Sequence, residues 1–243
     1  MHTILWFWYF WCYLLRVQPK MRQAEALLQQ GKQEECDEMV GREAHQWALA
    51  LLKKAGITME VEGLENLPAQ GAMVLAPNHQ GYFDIPLMLG LVPRTLGFFS
   101  KIEVKRIPLI PQWMEKLHCV FVARSDRRSS MQSVHDAVNI LKKGHSLVIF
   151  PEGTRSKGGP VKSFKQGAFK IAQKAHVPVV PVCIAGSYKA MEANGNWIKP
   201  AHVQVRILPP VETEGLSREE LGELCSQVQQ SIEQQLEQMQ ASA

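Results

Sequence analysis

The chain has 243 residues, which suits one sizeable α/β core, because single cores stop growing at about 250 residues. Hydrophobic residues make up 46% and charged residues 21%, and no internal repeat is visible, which excludes disordered, fibrous and solenoid classes. The net charge of +4 comes from scattered Lys and Arg with no basic block, so no nucleic-acid partner is expected, and a local anionic substrate or a lipid surface fits better.

Ile4 to Leu15 is an unbroken apolar run. Twelve helical residues reach only about 18 Å against a hydrocarbon core of about 30 Å, so this run cannot cross a bilayer. It has neither a basic leader nor a small-residue cleavage site. Trp and Tyr favour the headgroup boundary. Trp6, Trp8 and Trp11 are therefore expected in an in-plane anchor, with Arg16, Lys20 and Arg22 placed to meet anionic lipid. A helix buried against the domain, or against a second copy, is the alternative. Residues 20–38 are polar, with a break at Gly31. Val40, Ala44, Trp47, Ala48, Leu51 and Leu52 then recur at helical spacing, and Lys53, Lys54 and Gly56 mark the helix end. Residues 1–56 thus form an N-terminal helical hairpin that docks on the membrane, and 57–243 a second unit.

In that unit Ile57, Met59 and Val61 alternate as in a half-buried strand, and Ala72 to Ala76 is a short apolar run. Further strands are expected at 96–100, 119–123, 147–150, 179–184 and 203–208, with helices at 129–143 and 163–175. The last helix opens on a capping box from Ser217 to Glu220. The fold class is α/β, a largely parallel sheet flanked by helices. Five widely spaced cysteines with no CxxC pair argue against a disulfide framework or a zinc site and suit a reducing compartment.

In open α/β sheets ligands bind beyond the carboxyl ends of strands, and two such segments carry chemistry. The first is Asn78-His79-Gln80-Gly81-Tyr82-Phe83-Asp84. On a continuous helix His79 and Asp84 would point about 140° apart, so they meet only if the chain turns between them. Gly81 permits that turn, and Asp84-Ile85-Pro86 has the look of a helix start. Asp84 would then orient His79 as a base for a hydroxyl proton; the plainer alternative is an N-cap and a loop histidine. The second is Pro151-Glu152-Gly153-Thr154-Arg155-Ser156, which offers N–H groups, a hydroxyl and a fixed positive charge to a phosphate, or else is a polar turn.

Together these segments resemble the glycerolipid acyltransferase family, specifically its 1-acylglycerol-3-phosphate (lysophosphatidate) acyltransferases. Asn78 to Asp84 is similar to the NHxxxxD block and Phe150 to Ser156 to the FPEGTRS block. Cys119 to Arg124, Val177 to Ile184 and Ser100 to Pro108 resemble further blocks in family order. The resemblance implies His79 as general base and Asp84 as its orienting partner. It implies a glycerol-phosphate site of Arg124, Glu152, Gly153, Thr154 and Arg155 with Lys101 beside it, and Pro178 and Pro181 shaping an acyl channel. It implies an acyltransferase domain at 57–243 that moves a fatty acyl group from an acyl carrier protein (ACP) or coenzyme A thioester to the sn-2 hydroxyl of lysophosphatidate. It needs no metal and no cofactor, and works as a peripheral protein on the cytoplasmic face of a membrane. Glycerol 3-phosphate or another lysophospholipid is the rival acceptor, and a catalytically silent membrane-binding module the rival class. No GxSxG elbow supports a serine acyl-enzyme, and Cys119 beside His118 reads as strand packing.

Overall fold

A computed structural model describes every residue except Pro93, Arg124, Ser125, Ser242 and Ala243. The apolar N-terminus forms α1 (His2–Arg16), which meets α2 (Gln18–Gln29) at Val17 to give the expected helical hairpin. The polar stretch after residue 20 is mostly helical, because Met21 and Ala24 supply a narrow buried stripe. Gly31, at a φ of 73°, breaks the chain before α3 (Gln33–Ala55), and α3 ends at Gly56 in the left-handed region, as expected from Lys53, Lys54 and Gly56.

Among the described residues seven strands follow: β1 (Ile57–Glu62), β2 (Val74–Pro77), β3 (Leu96–Lys101), β4 (Val120–Val122), β5 (Ser146–Val148), β6 (Val179–Ala185) and β7 (Ala201–Ile207). They lie in the order β1-β7-β6-β2-β5-β3-β4, parallel except for the β6–β7 pair. The helices between and after them are α4 (Asp84–Leu91), α5 (Ile110–Lys116), α6 (Arg127–Lys142), α7 (Gly167–Ala175) and α8 (Arg218–Ala241). The Ser217–Glu220 box caps α8 through reciprocal bonds of 2.7 and 3.2 Å.

The central strands feed both faces of the sheet. Leu75 of β2 and Val180, Val182 and Ile184 of β6 join a cluster with α3 and α4, whereas Val74, Ala76, Val179 and Cys183 join a second cluster with α7 and α8. Burial on both sides explains why these strands read as continuous apolar runs. The first cluster continues into the hairpin through Trp6, Leu14 and Met21.

That continuity corrects one expectation. Trp6 is 7% exposed, its indole N–H donates to the Leu51 carbonyl at 3.0 Å, and its ring packs on Phe10 and Phe83. It belongs to the core and not to the headgroup level, because α1 lies on α3 and one side of the helix must face it. Trp8 is 67% exposed, and Ile4, Leu5, Phe7, Trp11 and Leu15 are exposed beside it. Arg16 and Arg22 are exposed, while Lys20 reaches Glu43 of α3 at 3.5 Å. Among the described residues no helix is long and apolar enough to cross a membrane.

Candidate active site

The segments that follow β2 and β5 meet at the carboxyl end of the sheet. Asn78, the first residue past β2, grips β6: its amide donates to the Ile184 carbonyl at 3.0 Å and its oxygen accepts from the Ile184 N–H at 2.7 Å. Beyond it the chain turns through residues 79–83 into α4, and Asp84 lies at the start of that helix. The turn brings His79 Nδ1 to 2.7 Å from Asp84 Oδ2.

Asp84 is completely buried, and four donors surround its carboxylate. Oδ2 accepts from His79 Nδ1 and from the N–H groups of Gln80 at 2.7 Å and Gly81 at 2.9 Å, while Oδ1 accepts from the Ser187 hydroxyl. A carboxylate can only accept, so His79 carries its proton on Nδ1 and Nε2 is the basic nitrogen. Phe150, the residue before Pro151, lies under the His79 ring at a centroid distance of 3.9 Å. The imidazole is thereby held by a hydrogen bond at its edge and packing on its face.

Gly81 serves the turn differently from the expectation. Its φ is not positive, but a Cβ there would lie 2.5 Å from Glu192 Oε2, so any side chain would displace the Glu192 carboxylate from its partners. Glu192 is one residue that the sequence did not point to. Its side chain is 2% exposed, and its Oε1 accepts from the Tyr82 N–H at 2.8 Å and from Arg155 at 2.9 Å. Arg155 also lies over the Tyr82 ring, 3.5 Å from its centroid. The guanidinium is thus fixed between a carboxylate and an aromatic face next to the His79 turn, with about a quarter of its side chain open to solvent.

Glu152, expected at the phosphate site, is tied to backbone donors of two loops. One oxygen accepts from the His79 N–H at 2.6 Å and the other from the Lys162 N–H at 2.9 Å, with the residue 3% exposed. Burial pushes its carboxyl up from the ordinary range, and those two backbone bonds oppose the push. With both oxygens accepting from backbone N–H groups, the side chain clamps the two loops together. The Ser156 N–H completes the clamp by donating to the His79 carbonyl at 2.7 Å. Gly153, at a φ of 68°, makes the turn beside it, and Thr154 is exposed. Lys101 ends β3 at the same edge of the sheet and is exposed. Arg124 lies outside the described residues.

An apolar cavity of about 210 Å³ opens among α1, α3, α4, β3 and α5, walled by Leu14, Trp47, Ile85, Leu89, Phe98 and Trp113. Ile85 adjoins Asp84, so the cavity begins at the helix turn that carries the dyad. Pro178 and Pro181 line none of it. Pro181 lies in β6, paired with Ala76, and the Pro178 carbonyl accepts from the Val74 N–H, so both shape the sheet. Cys119 also borders the cavity; burial pushes its thiol up to about 12, and its Sγ accepts from the Phe98 N–H. That is the strand-packing role expected of it, and no nucleophile.

Ser187 and Gln80 were also missed, although the signal for Ser187 was present: it stands just past the carboxyl end of β6. Gln80 Oε1 accepts from the Gly186 N–H at 2.9 Å and so holds that segment against the dyad.

A family model described as Acyltransferase matches residues 58–185. A chloroplastic 1-acyl-sn-glycerol-3-phosphate acyltransferase of Arabidopsis thaliana is 40% identical over 151 residues, which cover 62% of this chain and 42% of that protein. A 1-acyl-sn-glycerol-3-phosphate acyltransferase alpha of Mus musculus is 32% identical over 184 residues, covering 73% of this chain and 63% of the mouse protein. The chain thus spans under half the length of the chloroplast relative. A crystal structure of the 1-acyl-sn-glycerophosphate acyltransferase PlsC from Thermotoga maritima superposes with a TM-score of 0.78 at 30% identity, covering 99% of this chain and 98% of that one.

Proposed function

This chain belongs to the acyltransferase family, and on that premise we propose that it transfers a fatty acyl group from a thioester to the free sn-2 hydroxyl of lysophosphatidate, giving phosphatidate. The observation that carries the proposal is His79 held at 2.7 Å by a fully buried Asp84, with Arg155 fixed beside the same turn. A base and a fixed positive charge stand in one loop cluster, and an apolar cavity borders it at Ile85.

In this mechanism His79 Nε2 takes the acceptor hydroxyl proton as the oxygen attacks the thioester carbonyl. Asp84 stabilises the imidazolium that forms. The tetrahedral intermediate collapses with cleavage of the carbon–sulfur bond, and the imidazolium returns its proton to the departing thiolate. Arg155 binds the acceptor phosphate, and the cavity beside Ile85 takes an acyl chain. The exposed apolar side of α1, from Ile4 to Leu15, holds the protein at the cytoplasmic face of a bilayer, where substrate and product both reside. The donor is an acyl carrier protein or coenzyme A thioester.

Purified protein supplied with lysophosphatidate and each thioester in turn tests the proposal. The expected result is phosphatidate formation that falls by about 10²- to 10⁴-fold in His79→Ala, typical for loss of a general base. A variant that keeps more than about a tenth of the parental rate removes His79 from the mechanism. Equal turnover of glycerol 3-phosphate would overturn the acceptor assignment.

A further inference from the structure

At the end of the sheet opposite His79, three side chains converge that no sequence motif joins. Asp37 comes from α3, His118 from the turn entering β4 and His145 from the turn entering β5. His118 Nε2 lies 2.9 Å from Asp37 Oδ1, and His145 Nδ1 lies 3.7 Å from Asp37 Oδ2. One donor atom from each residue falls within 4.8 Å of the other two. The sequence gives no hint of the cluster, since 81 residues separate Asp37 from His118.

His118 is hydrogen-bonded to Asp37 at 2.9 Å, and it is the His145 spacing that leaves room for an ion. A distance of 3.7 Å is too long for a hydrogen bond, yet it is close to the edge of a tetrahedron around a metal with bonds of about 2.0–2.2 Å, roughly 3.3–3.6 Å. The backbone of His118 is fixed at this place. It has a φ of 58°, in the left-handed region, and the His118 carbonyl would lie 2.8 Å from a Cβ at residue 97, so only Gly97 lets β3 pack against this turn. Gln33 donates to Asp37 Oδ1 at 2.9 Å and orients the carboxylate from outside, as metal ligands commonly require.

We propose that Asp37, His118 and His145 form a divalent transition-metal site that takes zinc and braces α3 against the entries of β4 and β5. Two imidazoles and one carboxylate suit zinc, whereas calcium and magnesium select all-oxygen sets. Asp37 and His145 border a surface cavity shared with Glu34, Glu38, Arg42 and Arg94, which gives an ion a way in. The two imidazoles now stack at 3.7 Å with planes 21° apart, so an ion in both ring planes turns them away from each other. Both side chains are partly open to solvent, and His145 borders the surface cavity into which its ring can turn. The ion stands apart from the acyl-transfer chemistry, because the dyad lies beyond the opposite ends of the strands. Its effect is on stability, through the same helix whose Ala44 and Trp47 wall the apolar cavity.

The test titrates zinc alone into chelator-stripped full-length protein, in competition with a chromophoric chelator, and follows Tm. One equivalent is expected to bind, and Tm to rise by about 5 °C when free zinc reaches a hundredfold excess over Kd. Asp37→Asn and His145→Gln should abolish both effects, and His79→Gln should leave them intact. His145 is beyond hydrogen-bond distance of Asp37, so its replacement spares the Asp37–His118 bond that helps hold the fold. Cobalt added to the unaltered protein gives a readout that needs no variant: strong visible bands of a four-coordinate ion are expected. A weak six-coordinate spectrum, zinc binding that survives His145→Gln, or zinc binding lost in His79→Gln would each overturn the site and leave a hydrogen-bonded brace only.

Discussion

Replacing Asp84 separates its structural work from its chemical work. In Asp84→Asn the amide oxygen is expected at the Oδ2 position, because three donors already converge there, from His79 Nδ1, Gln80 N–H and Gly81 N–H. The amide nitrogen then faces Ser187, whose hydroxyl can turn to accept or shift to Gln80 Oε1, 3.4 Å away. Every hydrogen bond survives and His79 keeps its tautomer, so stability should fall by no more than about 1–2 kcal/mol. What is lost is the charge opposite an imidazolium, worth about 4 kcal/mol at 4 Å in an effective dielectric of 20, or about 10²–10³ in turnover. In Asp84→Ala, His79 can swing to solvent and Ser187 to Gln80, but the two buried N–H groups cannot move. At about 1–3 kcal/mol each they take about 2–6 kcal/mol from a total of 5–15, lowering Tm by roughly 5–20 °C. Thermal melts beside an acyl-transfer assay with lysophosphatidate read both quantities. An Asn variant above a tenth of the parental rate, or Asn and Ala variants of equal stability, would refute the reasoning.

Arg155→Ala should raise the acceptor KM by about 10- to 150-fold, the equivalent of one charge-assisted bond of about 1.5–3 kcal/mol, and leave the donor KM unchanged; Arg155→Lys should rescue little, since a point charge cannot both bridge to Glu192 and stack on Tyr82. Steady-state kinetics in each substrate checks this, and equal loss against both substrates contradicts it. Trp8→Ser with Leu15→Ser should weaken flotation with anionic vesicles at unchanged Tm, whereas Trp6→Ala should lose about 3–5 kcal/mol of stability because Trp6 is core. An unchanged flotation profile in the first variant removes α1 from membrane docking. Native protein at pH 8 should react with a thiol reagent at Cys12 well before Cys119, Cys183 or Cys225, whose burial pushes their thiols up to about 12, about 12 and about 11; mass-mapped labelling measures the order, and early modification of the other three would show that the core opens.

Apolar patterning located the seven strands of the described residues: β1 alternates because one face is solvated, and β2 and β6 are apolar throughout because both faces are buried. Local chemistry likewise marked the end of α3 at Gly56 and the start of α8 at Ser217, since caps are satisfied within a few residues. The resemblance of two short blocks to known acyltransferases singled out His79 and Asp84 among the histidines and aspartates of the chain. The reversal of β7 against β6, the inward turn of Trp6 and the clamp role of Glu152 were decided only by tertiary structure. Each depends on a partner far along the chain. Nothing in a polar motif tells whether a carboxylate will face solvent, a phosphate or two buried N–H groups. Glu192 shows the limit most plainly: 37 residues from Arg155 and 110 from Tyr82, it has no motif of its own, and its place in the site exists only because the loops after β2, β5 and β6 close at one end of the sheet.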